Sequence, residues 1–299
     1  MQALWMVLAS FIFATMGVCV KIASDSFNSA ELVFWRGVIG MVFMWGLARS
    51  RGVSLATPVF GMHVWRSSIG VLSLGAWFYA IAHLPLATAM TLNYMSSVWI
   101  AAFLVGGALM AWNPTKPGTG PLAQGPLVLT VLGGFAGVLM ILQPTVEQDQ
   151  AFAGIVGLLS GIGAAFAYMQ VMALARAGEP ETRTVFYFAA GTVVAGALGM
   201  LVAGVSPFLW KQALWMLPIG VLASLGQLCM TRAYSNAATL VVANLQYSGI
   251  VFAAVYGVLL FGDLMSPMIW AGMGLVIASG IAATVLRERA APDSPAEEH

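Results

Sequence analysis

Residues 86–110 read LATAMTLNYMSSVWIAAFLVGGALM, and residues 237–261 read AATLVVANLQYSGIVFAAVYGVLLF. Neither stretch holds a charged side chain. A hydrocarbon core about 30 Å thick is crossed by roughly 20 apolar residues in a helix. A backbone surrounded by lipid must satisfy its own hydrogen bonds, so both stretches read as membrane-spanning helices. They also share a pattern. Leu92-Asn93-Tyr94 returns as Leu245-Gln246-Tyr247, and Val98 and Ala101 return as Val251 and Ala254.

Working outward, Ser73-Leu74-Gly75 returns as Ser224-Leu225-Gly226, and Val33-Phe34-Trp35 as Val185-Phe186-Tyr187. Leu8, Ala14 and Val20 return as Leu159, Ala165 and Val171. The offset stays between 151 and 153 throughout. One such match means little in so biased a composition, but four in the same order at nearly one offset describe a duplicated chain.

Apolar segments lie at about 3–22, 30–48, 63–82, 86–110, 125–143, 152–174, 183–204, 212–232, 237–261 and 266–286, each above the roughly 17-residue minimum for a span. Five segments per repeat is an odd number, so the second half threads the membrane in the opposite sense. The sequence therefore predicts an all-α polytopic membrane protein with ten transmembrane helices in two inverted five-helix repeats. The repeats cover residues 1–144 and 151–286, and 287–299 (RERAAPDSPAEEH) is expected to be a disordered cytoplasmic tail. Gly133–Gly137 and Gly157–Gly161 have GxxxG spacing, which a chain with 33 glycines produces easily by chance.

Composition excludes the main alternatives. Of 299 residues 60% are hydrophobic and 8% charged, against about 25% charged in an ordinary soluble domain. Twelve Lys+Arg balance 11 Asp+Glu to a net charge of +1, so no basic field exists to bind nucleic acid. Cys19 and Cys229 sit inside apolar runs, with neither the spacing of a zinc site nor that of a disulfide framework. No HExxH, GxSxG or GxxxxGK[ST] occurs, so neither catalysis nor an ATP-driven pump is indicated, and no cofactor or metal site is expected.

Charge placement gives an orientation. With the N-terminus in the cytoplasm, Arg49, Arg51, Arg66, Lys116, Arg176, Arg183, Arg232, Arg287 and Arg289 lie in or beside cytoplasmic connections. Lys21 and Lys211 lie on the far side, and Arg36 is within a segment. This positive-inside bias places both termini in the cytoplasm.

The embedded polar residues are the candidates for chemistry. Tyr94 lies about 12 Å along its segment, close to the midplane, with Tyr247 at similar depth from the other face. Asn93 and Gln246 sit beside them. An amide in hydrocarbon must face protein or water. The four form a symmetry-related pair of candidate binding groups; the alternative is that they only bond neighbouring helices. Arg36, about 9 Å deep, can hold a substrate carboxylate by a two-pronged hydrogen bond; the alternatives are an ion pair with Glu31 or snorkelling. Trp77, Tyr79, Trp99 and Tyr168 supply aromatic surface, as does Tyr187. Gln227 and Asn244 are further embedded polar groups, with Gln170. His63 and His83 fall at segment ends, where an interfacial role is expected. No Asp or Glu lies at mid-span.

Several stretches carry a resemblance to a known family. Glu31-Leu-Val-Phe-Trp-Arg36-Gly37 and Leu84-Pro-Leu-Ala-Thr-Ala-Met-Thr-Leu-Asn93-Tyr94 fall in the first half. Arg232-Ala-Tyr-Ser and Phe261-Gly262-Asp263-Leu264 fall in the second. From about Ala3 to Leu286 the chain resembles the ten-helix, EamA-type branch of the drug/metabolite transporter superfamily. It departs from many relatives in lacking prolines at Ser96-Ser97-Val98 and Ser248-Gly249-Ile250. The resemblance implies a multi-pass carrier of the bacterial inner membrane, with a central cavity lined by the first four helices of each repeat. The fifth helices would support the scaffold.

The expected function is therefore secondary transport of a small organic metabolite by alternating access. The resemblance suggests an amino acid or a nucleoside-like compound such as S-adenosylmethionine. A multidrug-type exporter is the alternative, and a membrane-embedded enzyme on lipid-linked substrates comes after it. The expected partners are the small-molecule substrate and the lipid bilayer, with the chain a monomer or homodimer.

Overall fold

A computed structural model describes residues 2, 4–96, 98–99, 102–103, 125–142, 148–207, 210–237, 242 and 245–290. Every regular element among these residues is an α-helix. They are α1 (Leu4–Ala23), α2 (Ser29–Ser50), α3 (Phe60–His83), α4 (Leu86–Tyr94) and α5 (Gly125–Leu142) in the first half. The second half gives α6 (Gln148–Arg176), α7 (Glu181–Ala203), α8 (Met216–Asn236), α9 (Ser248–Phe261) and α10 (Pro267–Ala290). A single turn at Trp210–Ala213 precedes α8.

Among the described residues five helices are long and apolar enough to cross a membrane: α1, α2, α6, α7, and α8 with the turn before it. The helix α3 has the length, at 24 residues, but carries His63, Arg66, Ser67, Ser68 and Ser73. All but Ser68 are buried, so its polar side faces the bundle. The outward surfaces are apolar instead, with Leu72, Leu201, Val202 and Leu259 all strongly exposed. A face of this kind suits lipid and not water.

The helices pair in a regular way. The most extensive contacts join α2 to α7, α3 to α6, α5 to α10 and α1 to α8. Next come α2 with α8, α1 with α9, α3 with α7, α4 with α6 and α4 with α9. Exchanging α1–α5 for α6–α10 maps this set of pairs onto itself. The α2–α7, α4–α9 and α5–α10 pairs return unchanged, and α3–α6 becomes α8–α1. The helices α5 and α10 pack chiefly on each other, beside the remaining eight.

Both GxxxG spacings lie at helix contacts. A Cβ on Gly137 would sit 2.8 Å from the Gly272 carbonyl of α10, and one on Gly161 would sit 2.5 Å from the Leu92 carbonyl of α4. Small residues at these points let the backbones approach. The two segments that open the sequence analysis are interrupted one position apart in the alignment of Tyr94 with Tyr247. A turn at Met95 (φ −61°, ψ −4°) ends α4, and one at Tyr247 (φ −63°, ψ −17°) precedes α9. Neither break uses a proline.

Two expectations shift. Helix α10 runs to Ala290, so the first four residues of the stretch expected as tail are helical; Arg287-Glu-Arg-Ala290 are good helix formers, and the first proline comes at 292. Residues 291–299 lie outside the described residues, as does 104–124. Arg66 is not a charge at the mouth of a connection. Helix α3 begins at Phe60, three residues earlier than the hydropathy suggests, and Arg66 lies nearly two turns inside it and is buried.

Candidate functional site

Arg66, Gly70, Ser73, Leu74 and Trp77 recur every three or four residues, so they share one face of α3. That face lines a cavity, together with Phe13 of α1, Arg36 of α2, Asn93 and Tyr94 of α4 and Ala164, Ala167 and Tyr168 of α6. Phe188 of α7 and Gln227 and Met230 of α8 close the wall. Both halves of the chain therefore contribute. Gly70 leaves the space that the Arg66 guanidinium occupies, since a Cβ there would overlap it.

Two guanidinium groups meet in this cavity. Their central carbons lie 5.2 Å (Arg36) and 4.1 Å (Arg66) from the centre of the Phe188 ring. Both side chains are 3% exposed. Arg66 Nη2 donates to Gln227 Oε1 at a long 3.5 Å. Arg66 Nε and Nη1 and Arg36 Nε make no hydrogen bond. Among the described residues no carboxylate lines the cavity. Glu31, the acid nearest in sequence to Arg36, is committed elsewhere. It completes a capping box with Asn28 and accepts hydrogen bonds from Ser206. The ring face offsets part of the cost of burying these charges.

The rest of the wall is aromatic and weakly polar. Trp77 meets Phe13 edge to face at 6.4 Å, and its indole N–H makes no hydrogen bond. The Tyr94 hydroxyl, beside Ser10, also lacks a well-formed bond. Asn93 donates to Ser160 Oγ at 3.1 Å. Gln246 stands behind the wall and holds it. It accepts from the Tyr234 hydroxyl and donates to the Tyr168 hydroxyl, both at 3.1 Å.

Six of the eleven residues singled out in the sequence thus come together: Arg36, Trp77, Asn93, Tyr94, Tyr168 and Gln227. Gln246 supports Tyr168 from outside. Tyr247 packs its ring against Gly280 of α10. Tyr79 stacks on His83 at 4.1 Å, and Trp99 packs on Phe103 and Phe135. Asn244 lies outside the described residues. Sequence reasoning missed Arg66, Phe13 and Phe188. The three- and four-residue spacing from Arg66 to Trp77 was the available signal.

The cavity is narrow, leaving about 50 Å³ in which water could sit. Metabolite pockets typically run to several hundred Å³. Both ends of the α2–α7 pair are fastened. Where α2 begins and α7 ends, Ser206 donates to Glu31 through its amide at 2.9 Å and its hydroxyl at 2.6 Å. Asn28 Nδ2 also donates to the Gly204 carbonyl at 3.1 Å. Where α2 ends and α7 begins, Arg183 Nε donates to the Ser54 carbonyl at 2.9 Å. There Glu179 gathers Thr57 at 2.9 Å, His63 at 2.9 Å and Arg183 at 3.1 Å. Burial works against a charge on Glu179, but the hydrogen bonds from His63 and Thr57 and the nearby guanidinium outweigh it, holding its carboxyl below the ordinary 4.5.

The EamA-like transporter family matches over residues 1–106. The chain is 37% identical over 277 residues to the pseudopaline exporter CntI of Pseudomonas aeruginosa, covering 92% of this chain and 93% of that one. The chain belongs to the EamA-like transporter family. This transporter is also 28% identical over 286 residues to an uncharacterized transporter of Helicobacter pylori, covering 92% and 91% of the two chains. It is 24% identical over 284 residues to a riboflavin transporter of Brucella anthropi, covering 92% and 95%. A solved crystal structure at 18% identity superposes with a TM-score of 0.66, over 96% of the transporter and 98% of that chain, a likeness of fold alone. The transporter is a multi-pass membrane protein and not an enzyme.

Proposed function

We propose that the chain is a secondary carrier of the bacterial inner membrane that moves a small organic metabolite by alternating access. Two inverted five-helix halves would share one site, with both termini cytoplasmic. The observation that carries this reading is the cavity itself, walled by α1–α4 of one half and α6–α8 of the other and fastened at both ends. The invariance of the helix pairing under exchange of halves supports it. So do the two fastenings, whose residues correspond at the repeat offset. Glu31 and Ser206 hold the periplasmic end in this reading, and Arg183 and Ser54 the cytoplasmic end.

In a carrier of this kind one fastening opens while the other holds. With both fastenings made, the cavity between them is narrow. Relatives named as an exporter of pseudopaline and a transporter of riboflavin support a metabolite as the cargo. Amino acids and nucleoside-like compounds are the classes to be tried first, with S-adenosylmethionine, a net cation, included as a contrast. A multidrug exporter for organic cations is disfavoured by a wall whose described residues include two guanidinium groups and no carboxylate.

The test is counterflow in proteoliposomes. Reconstituted protein preloaded with a metabolite pool is expected to accumulate labelled metabolite from the same pool with saturation. If no pool supports saturable flux, the carrier reading is wrong.

A further inference from the structure

Arg36 and Arg66 stand on one ring with no acid beside them, and three of their N–H groups have no acceptor. Paired burial is the ordinary way a protein tolerates such charges. The described residues that line the cavity supply no pair. Glu31, the one acid in Arg36's own helix, is occupied by Asn28 and Ser206. A fixed structural role would supply a partner within the fold. Here Arg36, Arg66 and Trp77, which all carry donors without acceptors, line one cavity together. Two of the side chains lining it are cationic, and no acid among the described residues lines it.

We infer that the cavity takes an organic anion, its carboxylate or phosphate oxygens held between Arg36 and Arg66 with its carbon body against Trp77 and Phe188. The planar guanidinium fork matches either oxyanion by two parallel hydrogen bonds. Binding would supply the negative charge and the acceptors that the described lining residues do not provide. The inference deepens the carrier reading and rests on it. It also separates the substrate classes: a net-negative metabolite fits, whereas S-adenosylmethionine would bring a sulfonium into a cationic wall.

Thermal unfolding of the purified full-length protein against a metabolite library sorted by net charge tests this. Named members are citrate, succinate and glutamate for carboxylates, glucose 6-phosphate and glycerol 3-phosphate for phosphates, and riboflavin, phenylalanine, S-adenosylmethionine and tetraphenylphosphonium. A ligand that binds the folded state raises the melting temperature by mass action. Stabilising compounds are expected to be net anionic, and the carboxylate and phosphate arms tell which oxyanion the site prefers. Arg36→Gln and Arg66→Gln are each expected to weaken that binding on the order of 100-fold.

The same variants should melt no lower than wild type without ligand, because each removes an unpaired buried charge. Arg66→Lys should keep the charge yet lose most of the binding. Stabilisation by neutral or cationic compounds alone, anion binding that survives both Gln variants, no stabilising anion at all, or a large fall in melting temperature for both would overturn the inference. Counterflow of a neutral or cationic metabolite would overturn it while leaving the carrier reading intact.

Discussion

Ser206 donates to the Glu31 carboxylate through both its amide and its hydroxyl, and the partners of this contact recur at the other end of the bundle. Arg183 follows position 31 by 152 residues, and Ser54 precedes Ser206 by 152. Arg183 and Ser54 are themselves hydrogen-bonded. Positions that correspond at the 152-residue offset therefore form the contacts at the two ends of the α2–α7 pair, with acid–hydroxyl chemistry at one end and guanidinium–carbonyl chemistry at the other.

Weakening one end should bias the molecule to open there. With Ala164→Cys placed in the cavity wall of a protein lacking Cys19 and Cys229, Ser206→Ala should raise alkylation by an impermeant reagent from the periplasmic face. Glu179→Gln should raise it from the cytoplasmic face. Equal labelling from both faces in either variant would contradict the assignment of the two ends.

The Glu179 end should respond to acid. A carboxyl held below its ordinary 4.5 contributes stability that is full above that value and is lost as pH falls through the lower folded value. The wild-type melting temperature is expected to fall between about pH 5 and pH 3 more steeply than that of Glu179→Gln. The groups facing this carboxyl are His63, Thr57 and Arg183. Parallel slopes would show that Glu179 carries none of the effect.

Close helix approach should be measurable at Gly196. An added Cβ there would sit 2.5 Å from the backbone nitrogen of Phe34, between α7 and α2. Backbone cannot move aside as a flexible side chain can, so Gly196→Ala should cost about 1–3 kcal/mol in unfolding free energy. Gly46, in α2, has nothing within 4 Å of its added Cβ, and Gly46→Ala should be neutral or slightly stabilising.

Gln246 should matter for both stability and binding. Gln246→Leu strips the Tyr168 and Tyr234 hydroxyls of their shared partner, at a cost of about 1–3 kcal/mol for each buried group left unsatisfied. Because Tyr168 lines the cavity and Tyr234 does not, Tyr234→Phe should lower stability alone, and Gln246→Leu should lower ligand affinity as well. Calorimetric unfolding with ligand titration separates the two.

Much of this architecture was legible in the chain itself. Apolar length and the bilayer's demand for internally bonded backbone dictate helices, and Asn93-Tyr94 recurs as Gln246-Tyr247. Arg36 and Trp77 were legible as candidates because charge and indole are conspicuous inside apolar runs. Arg66 was not, because hydropathy starts its helix three residues late and so counts a cavity charge as a flanking one. Tyr79 and Trp99 looked equivalent to Trp77, yet they face other neighbours. Nothing in residue type says which way a helix is rotated.

Composition and periodicity act along one chain, so the sequence by itself determined the helices and their membrane setting. Only the tertiary structure decided that Arg36 and Arg66, on different helices, meet over Phe188 without an acid. Rotation and depth of each helix come from packing against the others, through close approaches such as Gly196 on Phe34, and that information is spread over all of them.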